Sequence, residues 1–186
     1  ANPADLFGLF RAGGVFLGGF VGGLTAGAVL LRRYALPVLP TLDAIVPSLA
    51  LGHAIGRIGC LLAGCCWGAR CDLPWAVTYT DPAAAANVGT PLGVPLHPFP
   101  VYSSLFNLAL WGLLEWMFRR PHPAGRIFAT YLGVYGVGRF LLEYTRGDVS
   151  RGFLFGGAVS TSQAISVGMI VAAIALVAWA GRRSDT

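Results

Sequence analysis

The chain has 186 residues, of which 55% are hydrophobic and 11% charged, with a formal net charge of +5. A soluble domain carries about 25% charged residues, so this composition belongs to a protein that meets lipid over much of its surface. All the basic residues are arginines, and they sit between apolar stretches instead of along one basic face, which argues against nucleic acid and for anionic lipid headgroups as partners.

Residues 1–12 are short and mixed, and read as interfacial. No signal-peptide pattern is visible at Ala1. A first span is predicted from Gly13 to Leu31. Its glycines (Gly14, Gly18, Gly19, Gly22, Gly23, Gly27) include small-xxx-small spacings suited to close helix packing. Arg32, Arg33 and Tyr34 close it as interfacial anchors, and Pro37 and Pro40 mark a turn. A second span covers 41–62, with Asp43 near its start and Arg57 deep within. Residues 63–98 read as a loop rich in cysteine, tryptophan and proline. Within it, Trp75 to Thr80 alternates enough for a short strand or hairpin.

The third span is Val101 to Phe118, closed by Arg119 and Arg120. The fourth is Gly125 to Tyr144, with Arg139 and Glu143 at i, i+4. A polar loop over 145–160 carries Arg146, Asp148 and Arg151. The fifth span is Ser162 to Ala180, ended by Arg182 and Arg183. The expected fold is therefore all-α: a polytopic integral membrane helical bundle of about five transmembrane spans. It forms one transmembrane domain over 1–186, with 63–98 as an extracytoplasmic loop. The arginine-rich turns after the first and third spans and the C-terminus go to the cytoplasm under the positive-inside rule. The cysteine loop, His97 and the Arg139 region then share the outer side.

Arginine inside a membrane helix is costly unless an anion meets it. Its planar fork grips phosphate in two-pronged fashion. Arg57, Arg139 and Arg146 thus read as a phosphate clamp near the outer face, with Glu143 as partner; the competing reading is a structural ion-pair network. His53, Arg57 and Cys60 share one helical face by their spacing. His53 is either a packing residue or a general base.

Cys60, Cys65, Cys66 and Cys71 fall in one short segment. Their spacings of five, one and five match no common zinc-finger pattern, so no metal site is expected. Disulfides, a reactive thiol at Cys60 or Cys65 near His53, and inert packing stay open. His97, Pro98 and Tyr102 start the third span, as a helix N-terminus or as substrate contacts. Asp43 reads as a structural cap or partner. Ser160 and Gln163 have capping spacing, with Gln163 facing a site as the alternative.

Five motifs in register resemble the prolipoprotein diacylglyceryl transferase family of bacterial inner-membrane enzymes. Residues 13–19 (GGVFLGG) are similar to its Gly-Gly-x-x-(Phe/His)-Gly-Gly segment. Asp43 and Pro47 lead into Gly56, Arg57 and Gly59, then Gly64, Trp67 and Gly68, as in the family signature. His97, Pro98 and Tyr102 resemble His-Pro-x-Gln-Leu-Tyr. Gly138, Arg139, Glu143 and Arg146, with Asp148, resemble its Arg-Phe-x-x-Glu-x-x-Arg segment, and Gln163 with Ser166 the final-helix Gly-Gln-x-x-Ser.

The resemblance implies transfer of diacylglyceryl from phosphatidylglycerol to the thiol of a lipobox cysteine in a precursor lipoprotein, in the cytoplasmic membrane, with no cofactor. It implies that Arg57, Arg139 and Arg146 hold phosphate, Glu143 orients an arginine, and Gly68 permits close backbone approach. Cys60 stands where the family has Asn, Cys65 where it has Glu, and Leu17 where many members have His. Early N-terminal spans and an external head domain are expected to be absent or reduced.

Overall fold

The computed structural model describes residues 15–147, 153–154 and 159–184, without the side chains of residues 15–17, 20, 153–154 and 181–184. Asp148 and Arg151 lie outside the described residues, as do Gly13 and Gly14 and the side chain of Leu17. The chain divides into two compact units, residues 1–41 and 42–186.

In the first unit, α1 (Val15–Arg33) ends with Arg32 and Arg33 in its last turn, where cations complement the helix dipole. The Leu36 N–H donates to the Leu31 carbonyl at 3.0 Å and the Ala35 N–H to Arg32 at 3.4 Å. Ala35 is left-handed (φ 48°), so the chain reverses there, and Pro37 cannot continue the helix.

The second unit holds most of α2 (Val38–Leu62) and everything after it. α2 is followed by β1 (Val77–Thr78), α3 (Pro82–Val88), β2 (Pro95–Leu96), α4 (Phe99–Phe118) and α5 (Arg126–Leu142). A 3-10 turn (Glu143–Thr145), β3 (Phe153–Leu154), β4 (Val159–Ser160) and α6 (Thr161–Ser184) complete it. Five of the six described helices match the five predicted spans to within a few residues. Two of them, Val38–Leu62 and Thr161–Ala180, are long and apolar enough to cross a membrane. Only 22% and 11% of their apolar windows are buried, whereas a core helix of a soluble protein would be mostly covered. The expected count of five spans is thus met by length and apolarity in two helices; α5, at 17 residues, is shorter than the usual span.

The fold is not purely helical. β1 pairs antiparallel with β2, which places the strand expected within residues 75–80 against Pro95 and Leu96. β3 and β4 form a second two-residue ladder. α3 lies where a loop was expected, though its signals are complete. Asp81 caps it by accepting from the Ala83 N–H at 2.9 Å, Pro82 opens it, alanines fill it, and Gly89 (φ 69°) ends it.

Val46 and Ala50 of α2 pack with Leu110 and Leu114 of α4 and Ile127 and Tyr131 of α5 in one apolar core. The Ser104 hydroxyl donates to the Ala54 carbonyl at 2.9 Å and ties α4 to α2. A Cβ on Gly136 would stand 2.9 Å from the Ser166 carbonyl oxygen and Ile170, so glycine allows α5 to approach α6 closely. Buried Asp43 accepts from the Gly125 N–H at 2.6 Å and the Phe128 N–H at 2.7 Å. It thereby caps α5 from the start of α2, as its structural reading anticipates. With α2 and α5 pinned at these ends, a rise of about 1.5 Å per residue carries Arg57 and Arg139 to a common far end, roughly 16–21 Å away.

Candidate functional site

Phe99 opens α4 and is fully buried. Three guanidinium carbons surround its ring, Arg146 at 5.0 Å, Arg57 at 5.7 Å and Arg139 at 5.8 Å from the centroid. These residues come from the end of α5, the end of α2 and the segment after the 3-10 turn, so the three predicted arginines do meet. Each gains a cation–π contact, yet like charges gathered round one apolar ring repel and favour an anion among them.

Glu143 supplies part of that counter-charge. Its Oε2 accepts from Arg139 Nη1 at 2.6 Å, and both side chains are nearly covered. Arg139 Nη2 donates to the Ser162 hydroxyl at 2.8 Å, which aims the fork from a second direction. Arg57 Nε donates to His53 Nε2 at 3.3 Å, and the His53 ring leans on Tyr135 at 5.5 Å. An imidazole nitrogen that accepts from a guanidinium is unprotonated, so the neutral ring carries its proton on Nδ1. His53 therefore holds Arg57.

The floor of the site is backbone. Gly68 bridges to Arg146, and the Ala69 N–H donates to the Thr145 carbonyl at 2.9 Å. The His97 N–H donates to the Ala69 carbonyl at 2.8 Å, and the Gly147 N–H to Trp67 at 3.2 Å. A Cβ on Gly68 would collide with the His97 carbonyl oxygen and stand 2.8 Å from that of Thr145, so the expected close backbone approach is real and its partners are residues of this chain. His97 Nδ1 lies 3.3 Å from the Tyr102 hydroxyl, which accepts from Trp75 Nε1 at 2.8 Å. That chain of contacts fixes the start of α4 and so the position of Phe99.

Gln163 completes a capping box: its Oε1 accepts from the Ser160 N–H at 3.0 Å, while the Gln163 N–H donates to Ser160 Oγ at 3.1 Å. Its amide oxygen is committed to the N-terminus of α6. An apolar groove of about 690 Å³ runs along Phe106, Thr130, Val134, Val137, Leu141 and neighbouring residues of α4 and α5.

The cysteines make a second feature. α2 ends in a Schellman motif at Gly64 (φ 68°): the Gly64 N–H donates to Leu61 at 3.2 Å and the Cys65 N–H to Cys60 at 3.0 Å. Cys66 follows, also left-handed (φ 56°), at a cost of about 1–2 kcal/mol for a residue with a side chain. These two reversals bring the sulfurs of Cys60, Cys65 and Cys66 within 4.8 Å of one another, a meeting that a search for finger spacings does not detect. All four cysteines are free thiols, with Cys71 buried. Burial and then Cys66 push the Cys65 thiol up. The Cys66 thiol is raised first by its hydrogen bond with Cys60 and then by burial. Both shifts disfavour the thiolate that the nucleophile considered at Cys65 would need.

Phe99 and Ser162 carry parts of the arginine cluster that the sequence reading gave no role, and the meeting of Cys66 with Cys60 and Cys65 was not expected from their spacing. Phe99 was within reach, since it follows His97 and Pro98 at the depth of the arginines. Ser162 and Cys66 depend on how α6 and the end of α2 turn.

The profile of the prolipoprotein diacylglyceryl transferase family matches residues 1–179. The chain is 40% identical to the phosphatidylglycerol–prolipoprotein diacylglyceryl transferase of Clostridium tetani (strain Massachusetts / E88) over 162 residues, 87% of this chain and 62% of that protein. It is 37% identical to the enzyme of that name numbered 2 in Clostridium perfringens (strain 13 / Type A), over 94% of this chain and 65% of the relative. It is 34% identical to the one from Vibrio vulnificus (strain CMCP6), over 98% of this chain and 65% of the relative. The chain thus spans just under two thirds of the length of the curated relatives it matches. With a profile match over nearly its whole length and the motif residues gathered round one ring, the chain belongs to the prolipoprotein diacylglyceryl transferase family.

Proposed function

We propose that the chain carries the phosphatidylglycerol-binding and transfer site of a diacylglyceryl transferase acting on a cysteine of a precursor lipoprotein. The observation that carries this reading is the convergence of Arg57, Arg139 and Arg146 on Phe99. Three guanidiniums offer a phosphodiester more hydrogen-bond donors than it has free oxygens. The apolar groove along α4 and α5 has the size and character to take an acyl chain.

In the transfer, the acceptor thiolate attacks the glycerol carbon that bears the phosphate. A carbon–sulfur bond forms as the carbon–oxygen bond breaks, and the electron pair leaves with glycerol-1-phosphate. The arginines bind charge that grows on the departing phosphate, so they stabilise the transition state more than the bound lipid. Glu143 and Ser162 hold the Arg139 fork, and His53 holds Arg57. The thiol proton passes to solvent or to the departing phosphate. His97 and Tyr102 act as supports of the α4 start, and Gln163 as a helix cap.

The same reading sets the protein as multi-pass in a bacterial cytoplasmic membrane, C-terminus inside and arginine cluster toward the outer leaflet. The positive-inside rule supports it, as does the Trp116–Arg120 contact (3.9 Å) at the opposite end of α4, an anchor typical of the interface. The test is incubation of the chain in phosphatidylglycerol nanodiscs with a fluorescent lipobox peptide. The expected result is a peptide gaining the mass of a diacylglyceryl group with matching release of glycerol phosphate. Lipid binding without either product would replace this reading by a non-catalytic phospholipid-binding module.

A further inference from the structure

The triangle formed by Cys60, Cys65 and Cys66 has no part in the transfer described above. Its sulfurs lie within 4.8 Å of one another and all three residues are half-buried. We propose that these three thiols form a binding site for one soft d10 metal ion, zinc(II) or copper(I), as its three protein ligands.

Geometry comes first. A tetrahedral zinc–thiolate site has Zn–S bonds of about 2.3 Å and hence sulfur–sulfur spacings near 3.8 Å. The triangle needs to contract by no more than about 1 Å per edge, which side-chain rotation supplies. Soft thiolate donors select zinc or copper(I) over hard cations. A disulfide would join two of these sulfurs and leave the third over, whereas one ion uses all three.

The backbone prearranges the set. The Schellman closure at Gly64 returns Cys65 onto Cys60, and the left-handed Cys66 turns its side chain back to the same point. Such conformations persist where the surroundings enforce them, and here they complete a ligand set. Thr90 Oγ1 donates to the Gly64 carbonyl at 2.6 Å and fixes this turn against α3.

The surroundings suit the charge. Three thiolates around zinc(II) carry one net negative charge, and around copper(I) two. Arg57 stands three residues before Cys60 on the same face of α2 and supplies a cation near that charge. The Tyr79 hydroxyl oxygen is buried without a hydrogen-bond partner, and its ring lies against the turn, 3.4 Å from where a Cβ on Gly64 would stand. A metal-bound thiolate would give that hydroxyl an acceptor, the kind of outer contact that tunes metal sites. On binding, the thiol protons pass to solvent as metal–sulfur bonds replace sulfur–hydrogen bonds.

This proposal is independent of the transfer activity, because loading is read on the full chain without lipoprotein. The chain is reduced in detergent micelles, then titrated anaerobically with Zn²⁺ alone and with Cu⁺ alone against a competing chromophoric chelator. One equivalent of at least one ion is expected, with Cys60, Cys65 and Cys66 protected from iodoacetamide in the mass spectrum of the loaded protein. Cys60→Ser, Cys65→Ser and Cys66→Ser each weaken binding at least about 100-fold, while Cys71→Ser keeps the full equivalent. Failure of the reduced wild-type chain to take up either ion overturns the proposal. So does uptake that leaves the three thiols open to alkylation, a readout that needs no variant to fold.

Discussion

The arginine cluster and the cysteine triangle both start from the end of α2, yet they are built in opposite ways. The cluster draws Arg57, Phe99, Arg139 and Arg146 from separate elements, and its geometry depends on where Asp43 pins α5 and where His97 starts α4. The triangle is made within seven consecutive residues, 60–66, by two backbone reversals and short hydrogen bonds. A long-range site inherits every strain in the packing between its parts. A local one is insulated from that packing but fails if a single φ angle is denied to it.

Gly68→Ala separates the two most sharply. Its Cβ would stand against the carbonyls of His97 and Thr145, which are backbone and cannot swing aside. A loss of about 3 kcal/mol in unfolding free energy is expected, with transfer abolished, because overpacking at a tight join displaces both chains. Metal uptake by the folded fraction should persist. Thermal unfolding and chelator competition on the same preparation check this, and equal loss of both functions would show the two regions are one.

Arg139→Lys comes next. A lysine keeps the charge but cannot span Glu143 and Ser162 together. A fall of about 100-fold in kcat/KM for the lipid donor is expected, equivalent to roughly 2.7 kcal/mol of transition-state binding, with little change in melting temperature. Full activity in this variant would end the clamp proposal.

Gly64→Ala strikes the other region. Left-handed backbone costs an alanine about 1–2 kcal/mol, and its Cβ would stand 2.7 Å from that of Ala84. Metal affinity should drop by about tenfold while binding of phosphatidylglycerol, followed by fluorescence quenching, stays near wild type.

The smallest effect is assigned to Gln163→Ala. Losing one side of the capping box costs about 1 kcal/mol in unfolding free energy and leaves transfer within about twofold of wild type. A tenfold loss of activity at unchanged stability would return Gln163 to the substrate.

Much of the helical layout was legible because its causes are local. Runs of apolar residues ended by arginine pairs, such as Leu31 before Arg32 and Arg33, mark helix limits without any partner. α3 was equally legible in Asp81, Pro82 and Gly89, and was passed over because the segment reads as a polar, proline-rich loop. The arginines could be matched by depth, since Arg57 and Arg139 lie toward the same end of the second and fourth spans and Arg146 just beyond the latter. Their common ring could not, because rotation of a helix about its axis is set by contacts such as Gly136 against Ser166.

The sequence by itself determined which stretches become helices and which residues bear the charge, since propensity, hydropathy and capping act within a few residues of chain. The tertiary structure alone decided that three guanidiniums share the Phe99 ring and that Gly68 lies under His97. Those outcomes depend on how side chains of distant elements interlock, and no single stretch of the chain contains that information.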